Sequence, residues 1–372
     1  MSPSPPDFAA HQALPAALQQ LGWASSERAH AFAQWLHAQQ LPHGLSPDSV
    51  RLASADASFR RYFRVDAAKT SLIIMDAPPD KENSHPFVAI AALMQTAGLL
   101  VPRVLAWDEA LGFMLLDDLG QHTMMQVLDT AQPESNLGLF SRAVNALLTW
   151  QQASRPDVLP LYDAALLRRE LQLFPDWYIG QHRGKTLDEK QTQQLQASFD
   201  LLVSRNLAAP QVFVHRDFMP RNLMMPWNER EPRLGVLDFQ DAVYGPITYD
   251  IASLMRDAFI SWEEDMCLDV TVRYWEKARA LGLMNHDDWH SNFGAFYSAV
   301  EWMGLQRHLK VAGIFARLTM RDGKPKYLAD APRFITYIRA TCSRYRELTP
   351  LLRLIDSIED HDVVSGFAYG RM

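Results

Sequence analysis

An apolar strand that ends in a charged loop constrains this chain more than any other feature. Residues 212–222 run Val-Phe-Val-His215-Arg216-Asp217-Phe-Met-Pro-Arg221-Asn222, and sixteen residues after Asn222 stands Asp238, inside Leu237-Asp238-Phe239. The runs 222–225 and 234–238 flank the turn-rich segment 226–233 and read as a β-hairpin. Counting outward from position 230 sets Asn222 opposite Asp238, and directly opposed residues of an antiparallel pair lie about 5 Å apart at Cα. The two can then share an ion, with Asp217 on the loop that enters the hairpin. Such a set suits phosphoryl transfer, where a site needs a carboxylate at the acceptor hydroxyl and oxygen ligands for a metal.

The texture around this stretch changes along the chain. Between 50 and 119 it is strand-like, with apolar runs at 62–65, 72–75 and 113–116, the last ending in Asp117-Asp118-Leu119-Gly120. One helix interrupts them: Phe87, Ile90, Ala91 and Met94 share a face, and Gly98 stands where a left-handed cap would close it. After Gly120 the pattern is mainly helical. Strands followed by helices imply an α+β chain of two lobes meeting at 116–120, divided into 1–119 and 120–372. Ahead of the strands, 8–20 and 26–40 carry apolar residues at helical spacing, with Ser25 as an N-cap, and read as an appended helical pair. The proline-rich residues 2–6 read as a frayed end.

Composition excludes several classes. The 372 residues are nearly half apolar, enough for a sizeable core, and the net charge of −7 with no long Lys/Arg run argues against a nucleic-acid partner. Cys267 and Cys342 lie far apart without metal-ligand spacing, which fits reduced thiols in the cytoplasm. The N-terminus has no basic segment leading into an apolar run, and no apolar stretch of about 18 residues follows, so neither secretion nor a membrane span is expected.

The catalytic stretch resembles the aminoglycoside phosphotransferase and choline kinase family, small-molecule relatives of the protein kinases. The likeness covers 212–254 and includes Gly245-Pro246-Ile-Thr-Tyr249-Asp250-Ile-Ala-Ser-Leu254, which is similar to the segment after that family's metal aspartate. It implies a two-lobed, protein-kinase-like fold that uses ATP and Mg²⁺, with a small strand-rich N-lobe and a larger, mainly helical C-lobe. Here that fold would carry an N-terminal helical extension. It also implies that Asp217 takes or orients the acceptor proton, that Asn222 and Asp238 bind Mg²⁺, and that His215 packs beneath the loop. Asp250 precedes an apolar helical stripe, so a helix N-terminal role competes with a substrate role.

On the nucleotide side, 113–120 resembles the family's interlobe hinge, where main-chain groups near Asp117 and Leu119 would meet the adenine edge. Ser54-Ala-Asp-Ala-Ser58 is small and polar, as a phosphate-embracing turn should be, though it lacks G-x-G-x-x-G. Ser58-Phe-Arg60-Arg61-Tyr62-Phe63-Arg64 then places Arg60, Tyr62 and Arg64 on one strand face and Arg61 on the other. The strand expected to carry the family's phosphate lysine reads Leu72-Ile-Ile-Met75-Asp76, without a lysine, and the helix after it lacks a central glutamate. Arg60 or Arg64 becomes the candidate replacement, because guanidinium binds phosphate oxygens bidentately. Lys81 stands next in line, and solvated edge-strand charges are the plain alternative.

This variant pattern is itself familiar. Residues 56–64, 75–79, 238–245 and the run Gln306-Arg-His-Leu-Lys-Val-Ala-Gly-Ile-Phe-Ala-Arg317 are similar to the bacterial anomeric sugar kinases of cell-wall recycling. That resemblance implies phosphorylation of the C1 hydroxyl of N-acetylmuramate and N-acetylglucosamine, toward UDP-activated sugars. It implies a small-molecule amino sugar as partner, and a monomer is expected. Charges near the transfer site alternate in sign, which suits a neutral or anionic sugar better than a polycation. Trp177, Tyr178, Tyr244 and Trp302 offer stacking faces, Asp241 a polar contact, and Arg256 or Arg307 a partner for a lactyl carboxylate. The alternatives are a kinase for an aminoglycoside or amino alcohol and a non-catalytic nucleotide-binding module.

Overall fold

In the computed structural model, residues 15–55, 59–228 and 230–360 are described. The fold is α+β, and the chain forms two units: Met1–Thr96 with Leu100–Gly120, and Ala97–Leu99 with Gln121–Met372.

The first unit is an antiparallel sheet of five strands backed by a helix. Its strands are β1 (Leu45–Ala55), β2 (Arg61–Ala67), β3 (Ser71–Asp76), β4 (Val104–Asp108) and β5 (Phe113–Asp117), in the order β1-β2-β3-β5-β4. The backing helix, α1 (Ser26–His43), starts where the Ser25 side chain accepts from the Arg28 N–H at 3.2 Å and stops at left-handed Gly44. It buries Ala29, Phe32, Trp35 and Leu36. These pack on Phe63, Val65, Leu72, Ile74, Phe113 and Leu115, which alternate along β2, β3 and β5 onto one sheet face. Phe32 meets the rings of Phe63 and Phe113 edge-on, both at 5.4 Å. Burying this aromatic cluster is the main force joining helix to sheet. Of the expected segment 8–20, residues 8–14 lie outside the described residues, and the rest holds only the short turn Ala16–Gln19. The helix α2 (His85–Thr96) buries Phe87, Ile90, Ala91 and Met94, and Gly98 follows it at φ 94°.

Two strands were not evident in the sequence. β1 carries Pro47, Asp48 and three serines and is broken by register shifts, which an edge strand tolerates. β4, at the other edge, is half-buried at every position and so shows no alternation.

The second unit is helical around two small antiparallel pairs. Its longer helices are α3 (Leu137–Gln152), α4 (Ala164–Leu173), α5 (Glu189–Leu207), α6 (Thr248–Met255), α7 (Glu264–Ala280), α8 (Phe293–Met320), α9 (Ala331–Arg344) and α10 (Thr349–Ile358), with the π-helical stretch Phe174–His182 after α4. β6 (Gln211–Val214) pairs with β9 (Val243–Pro246), and β7 (Leu223–Met224) with β8 (Gly235–Val236). The long helix α8 runs through the core, with every residue from Val300 to Lys310 buried. Among the described residues no helix is long and apolar enough to cross a membrane.

Candidate active site

β6 ends at Val214 and delivers His215, Arg216 and Asp217 as a tight loop. Arg216 has φ 78°, the left-handed region, which costs a non-glycine residue about 1–2 kcal/mol and so needs support. Asp250, in the first turn of α6, supplies it: one carboxylate oxygen accepts from the His215 N–H at 2.7 Å and the other from the Arg216 N–H at 3.0 Å. Burial pushes the Asp250 carboxyl up to about 6, against the opposing pull of His215, the two N–H donors and Arg307. Asp250 therefore shapes the loop, a role the sequence left between helix cap and substrate contact.

His215 is buried beneath this loop. Its Nδ1 accepts from the Asp217 N–H at 3.2 Å, which leaves the proton on Nε2, 3.0 Å from the Leu237 carbonyl that accepts it. Burial lowers the imidazole pKa and favours this neutral form, although Asp250 and Asp217 pull the other way. The ring ties the Asp217 loop to the strand that leads to Asp238.

Asn222 and Asp238 do meet, but not by the expected register. Leu223 pairs with Val236, which sets Asn222 across from Leu237, and the Leu237 N–H donates to the Asn222 carbonyl at 2.9 Å. Asp238 then leaves the strand in a left-handed conformation, φ 63°, and this turn brings its Oδ2 to 3.3 Å from Asn222 Nδ2. The same amide nitrogen donates to the Asp217 carbonyl at 2.8 Å, and Gln240 Nε2 donates to Asp238 Oδ1 at 2.9 Å. One amide thus touches both acidic residues. Gln240 was not singled out by pattern, because it stands where related motifs have glycine.

The donor set fits Mg²⁺. Asp238 and Asn222 offer hard oxygens, and among the described residues no group of three or more His, Cys, Asp or Glu would hold an ion alone. That suits an ion brought in with phosphates and waters completing its shell.

Several expected substrate contacts are engaged elsewhere. Tyr178 is buried, stacked on Phe174 at 5.1 Å, and its hydroxyl donates to Glu359 at 3.0 Å, so its ring offers no free face. Trp302 is buried against Tyr345. Arg256 is paired with Glu264 at 3.1 Å and the Tyr297 hydroxyl at 3.1 Å. Arg307, only 2% exposed, donates to the Arg216 carbonyl at 2.9 Å and holds the loop rather than a ligand. Trp177 is half-buried in the π-helical stretch, Tyr244 is half-buried on β9 beside Phe213, and Asp241 is exposed, its carbonyl accepting from Arg216 at 3.4 Å.

In the first unit, Ser58 lies outside the described residues. Arg60 pairs with Glu82 at 3.1 Å, and the same carboxylate accepts from the Phe59 N–H at 3.2 Å. Arg64 grips Asp118 through two bonds of 2.6 and 3.0 Å and donates to the Gly120 carbonyl at 2.8 Å, bracing the segment after β5. Arg61 is on the opposite sheet face, as alternation requires, yet it is no idle surface charge. It and Arg28 of α1 close on Asp76, at 2.6 and 2.5 Å. Asp117 pairs with Arg103 at 2.6 Å, and its N–H donates to the Arg103 carbonyl at 3.2 Å, so that amide is used within the sheet. Leu119 is buried.

Residues 49–289 match the family described as "Phosphotransferase enzyme family". The chain belongs to this family. Among curated proteins, the phosphotransferase is 49% identical over 312 residues to the N-acetylmuramate/N-acetylglucosamine kinase of Pseudomonas aeruginosa, covering 84% of this chain and 89% of that one. The corresponding kinase of Neisseria meningitidis is 48% identical over 323 residues, covering 86% and 94%. Among solved structures, the ethanolamine kinase of Plasmodium vivax superposes with a TM-score of 0.57 over 91% of this chain and 93% of that one, at 10% identity. That likeness shows the protein-kinase-like fold alone. Family and relatives together make this phosphotransferase an ATP-dependent kinase.

Proposed function

We propose that the protein transfers the γ-phosphoryl group of ATP to the anomeric hydroxyl of N-acetylmuramate and N-acetylglucosamine, giving the sugar 1-phosphates. The observation that carries this reading is identity near one half, over most of the chain, to kinases named for these two sugars. The arrangement of Asp217, Asn222 and Asp238 supports it. Asp217 lies on the loop and receives the proton of the acceptor hydroxyl as its oxygen bonds to phosphorus and the bond to ADP breaks. Asn222 and Asp238 hold the nucleotide's Mg²⁺, which when bound screens the phosphate charge. His215 and Asp250 keep the loop fixed, so little reorganisation is left to the reaction itself. Arg60 is the cation we assign to the phosphates: Arg64 and Arg61 serve Asp118 and Asp76, and Arg60 would exchange its pairing with Glu82 for the phosphate oxygens.

The test is ATP turnover on N-acetylmuramate, N-acetylglucosamine, an aminoglycoside and choline, with the product phosphate located by phosphorus–proton NMR coupling. Coupling to H1 of the two sugars is expected. Turnover only with the aminoglycoside or choline, or phosphate at C6, would refute the assignment.

A further inference from the structure

The stretch Gln306 to Gly313 of α8 supplies none of the catalytic set, yet the structure gives it partners. Gln306 Nε2 donates to the Leu167 carbonyl at 3.0 Å, and Lys310 Nζ lies 2.9 Å from Glu170. A Cβ added at Gly313 would lie 2.4 Å from the Leu173 carbonyl carbon and oxygen. Positions 306, 310 and 313 of α8 thus run alongside 167, 170 and 173 of α4, each set on one helix face. Glycine at 313 permits the close approach.

What this contact presents is Glu170. One of its oxygens lies 2.5 Å from Arg216 Nη2 and 2.9 Å from Lys310, and the other accepts from the Tyr162 hydroxyl. Burial opposes ionisation of Glu170, but Lys310 and Arg216 outweigh it and hold the carboxyl below its usual range. Lys310 also donates to the Tyr249 hydroxyl at 3.1 Å. Arg307, 4.9 Å above the Tyr249 ring, takes the Arg216 carbonyl. Arg216, the left-handed residue immediately before Asp217, is therefore held at its N–H by Asp250, at its carbonyl by Arg307, and at its guanidinium by Glu170.

We propose that Glu170, Arg307 and Lys310 are positioning residues for phosphoryl transfer, fixing Arg216 from its carbonyl and its side chain so that Asp217 is aimed at the acceptor. The proposal rests on Asp217 being the acceptor-side carboxylate. A misaimed carboxylate slows the chemical step and leaves nucleotide binding alone, because the bonds of Glu170, Arg307 and Lys310 go to Arg216, Tyr162 and Tyr249. Such misplacement costs up to about a hundredfold in rate.

The experiment compares Lys310→Met, Lys310→Arg, Glu170→Gln and Asp217→Asn by kcat, KM for ATP and for sugar, and melting temperature. Lys310→Met should lower kcat about tenfold to a hundredfold with KM for ATP unchanged. Lys310→Arg should recover most of that loss by keeping the charge on Glu170. Glu170→Gln keeps the volume and the Tyr162 bond, should fall by a similar factor, and carries the test if Lys310→Met does not fold. Unchanged kcat per folded molecule in Glu170→Gln, with only a lower melting temperature, would overturn the proposal. A nearly inactive Asp217→Asn beside that result would leave the catalytic reading standing. A fully active Asp217→Asn would overturn the catalytic reading itself.

Discussion

Two buried carboxylates, Asp76 in the first unit and Asp250 in the second, are satisfied in opposite ways. Asp76, 1% exposed, is closed between the guanidinium groups of Arg28 and Arg61, which come from a helix and a neighbouring strand. Asp250, fully buried, accepts from two consecutive backbone N–H groups, one of them on a left-handed residue. The first arrangement joins elements distant in sequence, so its loss should appear as instability. The second fixes a backbone conformation beside Asp217, the acceptor-side carboxylate proposed above, so its loss should appear as slow chemistry. Burial alone does not distinguish them; the nature of the donors does.

The largest effect should come from the site itself. Asp217→Asn should lower kcat by about 10²–10⁴, the range for general acid–base help, with ADP binding by calorimetry retained. Asp250→Ala should follow at about a hundredfold in kcat, because the loop loses the acceptor for both N–H groups. Asp76→Ala should do the reverse. Breaking a buried pair by removing one partner costs about 3–5 kcal/mol, read by urea unfolding, while kcat per folded molecule stays near wild type. A catalytic defect in Asp76→Ala would erase the contrast.

Smaller effects sharpen it. Arg60→Ala should raise KM for ATP about tenfold, since charge-assisted bonds to phosphate contribute about 1.5–3 kcal/mol. Arg61→Ala should lower the melting temperature and leave KM for ATP alone, and equal KM shifts in both would move the phosphate cation elsewhere. The mildest effect concerns Asp257, which accepts from the Phe259 and Ile260 N–H groups and whose carboxyl burial pushes up to about 6. Unfolded, it would ionise near about 3.9, so the folded state holds the extra proton in between. Its contribution to stability is present below about pH 4 and is lost as pH rises through about 6. Asp257→Asn keeps the acceptor, so its melting temperature relative to wild type should climb between pH 4 and pH 6.5. A flat difference would mean that Asp257 is ionised throughout.

Much of this was legible because local chemistry and periodicity agreed. The buried face of α2 followed from four apolar positions, the Ser25 cap from its hydroxyl, and the meeting of Asn222 with Asp238 from a hairpin count. The count erred by one residue because the left-handed turn at Asp238, which restores the contact, has no sequence signature at an aspartate. The partners of the arginines were not legible, for a different reason. Alternation gives the face on which Arg61 and Arg64 lie, but Asp76 and Asp118 compete for them across a fold that periodicity does not describe. Arg256, at the end of α6, and Arg307, inside α8, look in sequence like charges awaiting a ligand, because the Glu264 and Arg216 groups that engage them lie far along the chain or on another element.

The link between Arg28 and Asp76 bears on where this protein can be cut. The family match begins at residue 49, and a shortened form started there would lack all of α1. Asp76 would keep one counter-charge instead of two, and Phe63, Ile74, Phe113 and Leu115 would lose the helix that covers them. An uncovered sheet face of that kind invites self-association, so expression vectors for this protein should begin ahead of Ser25 if they are to yield soluble material.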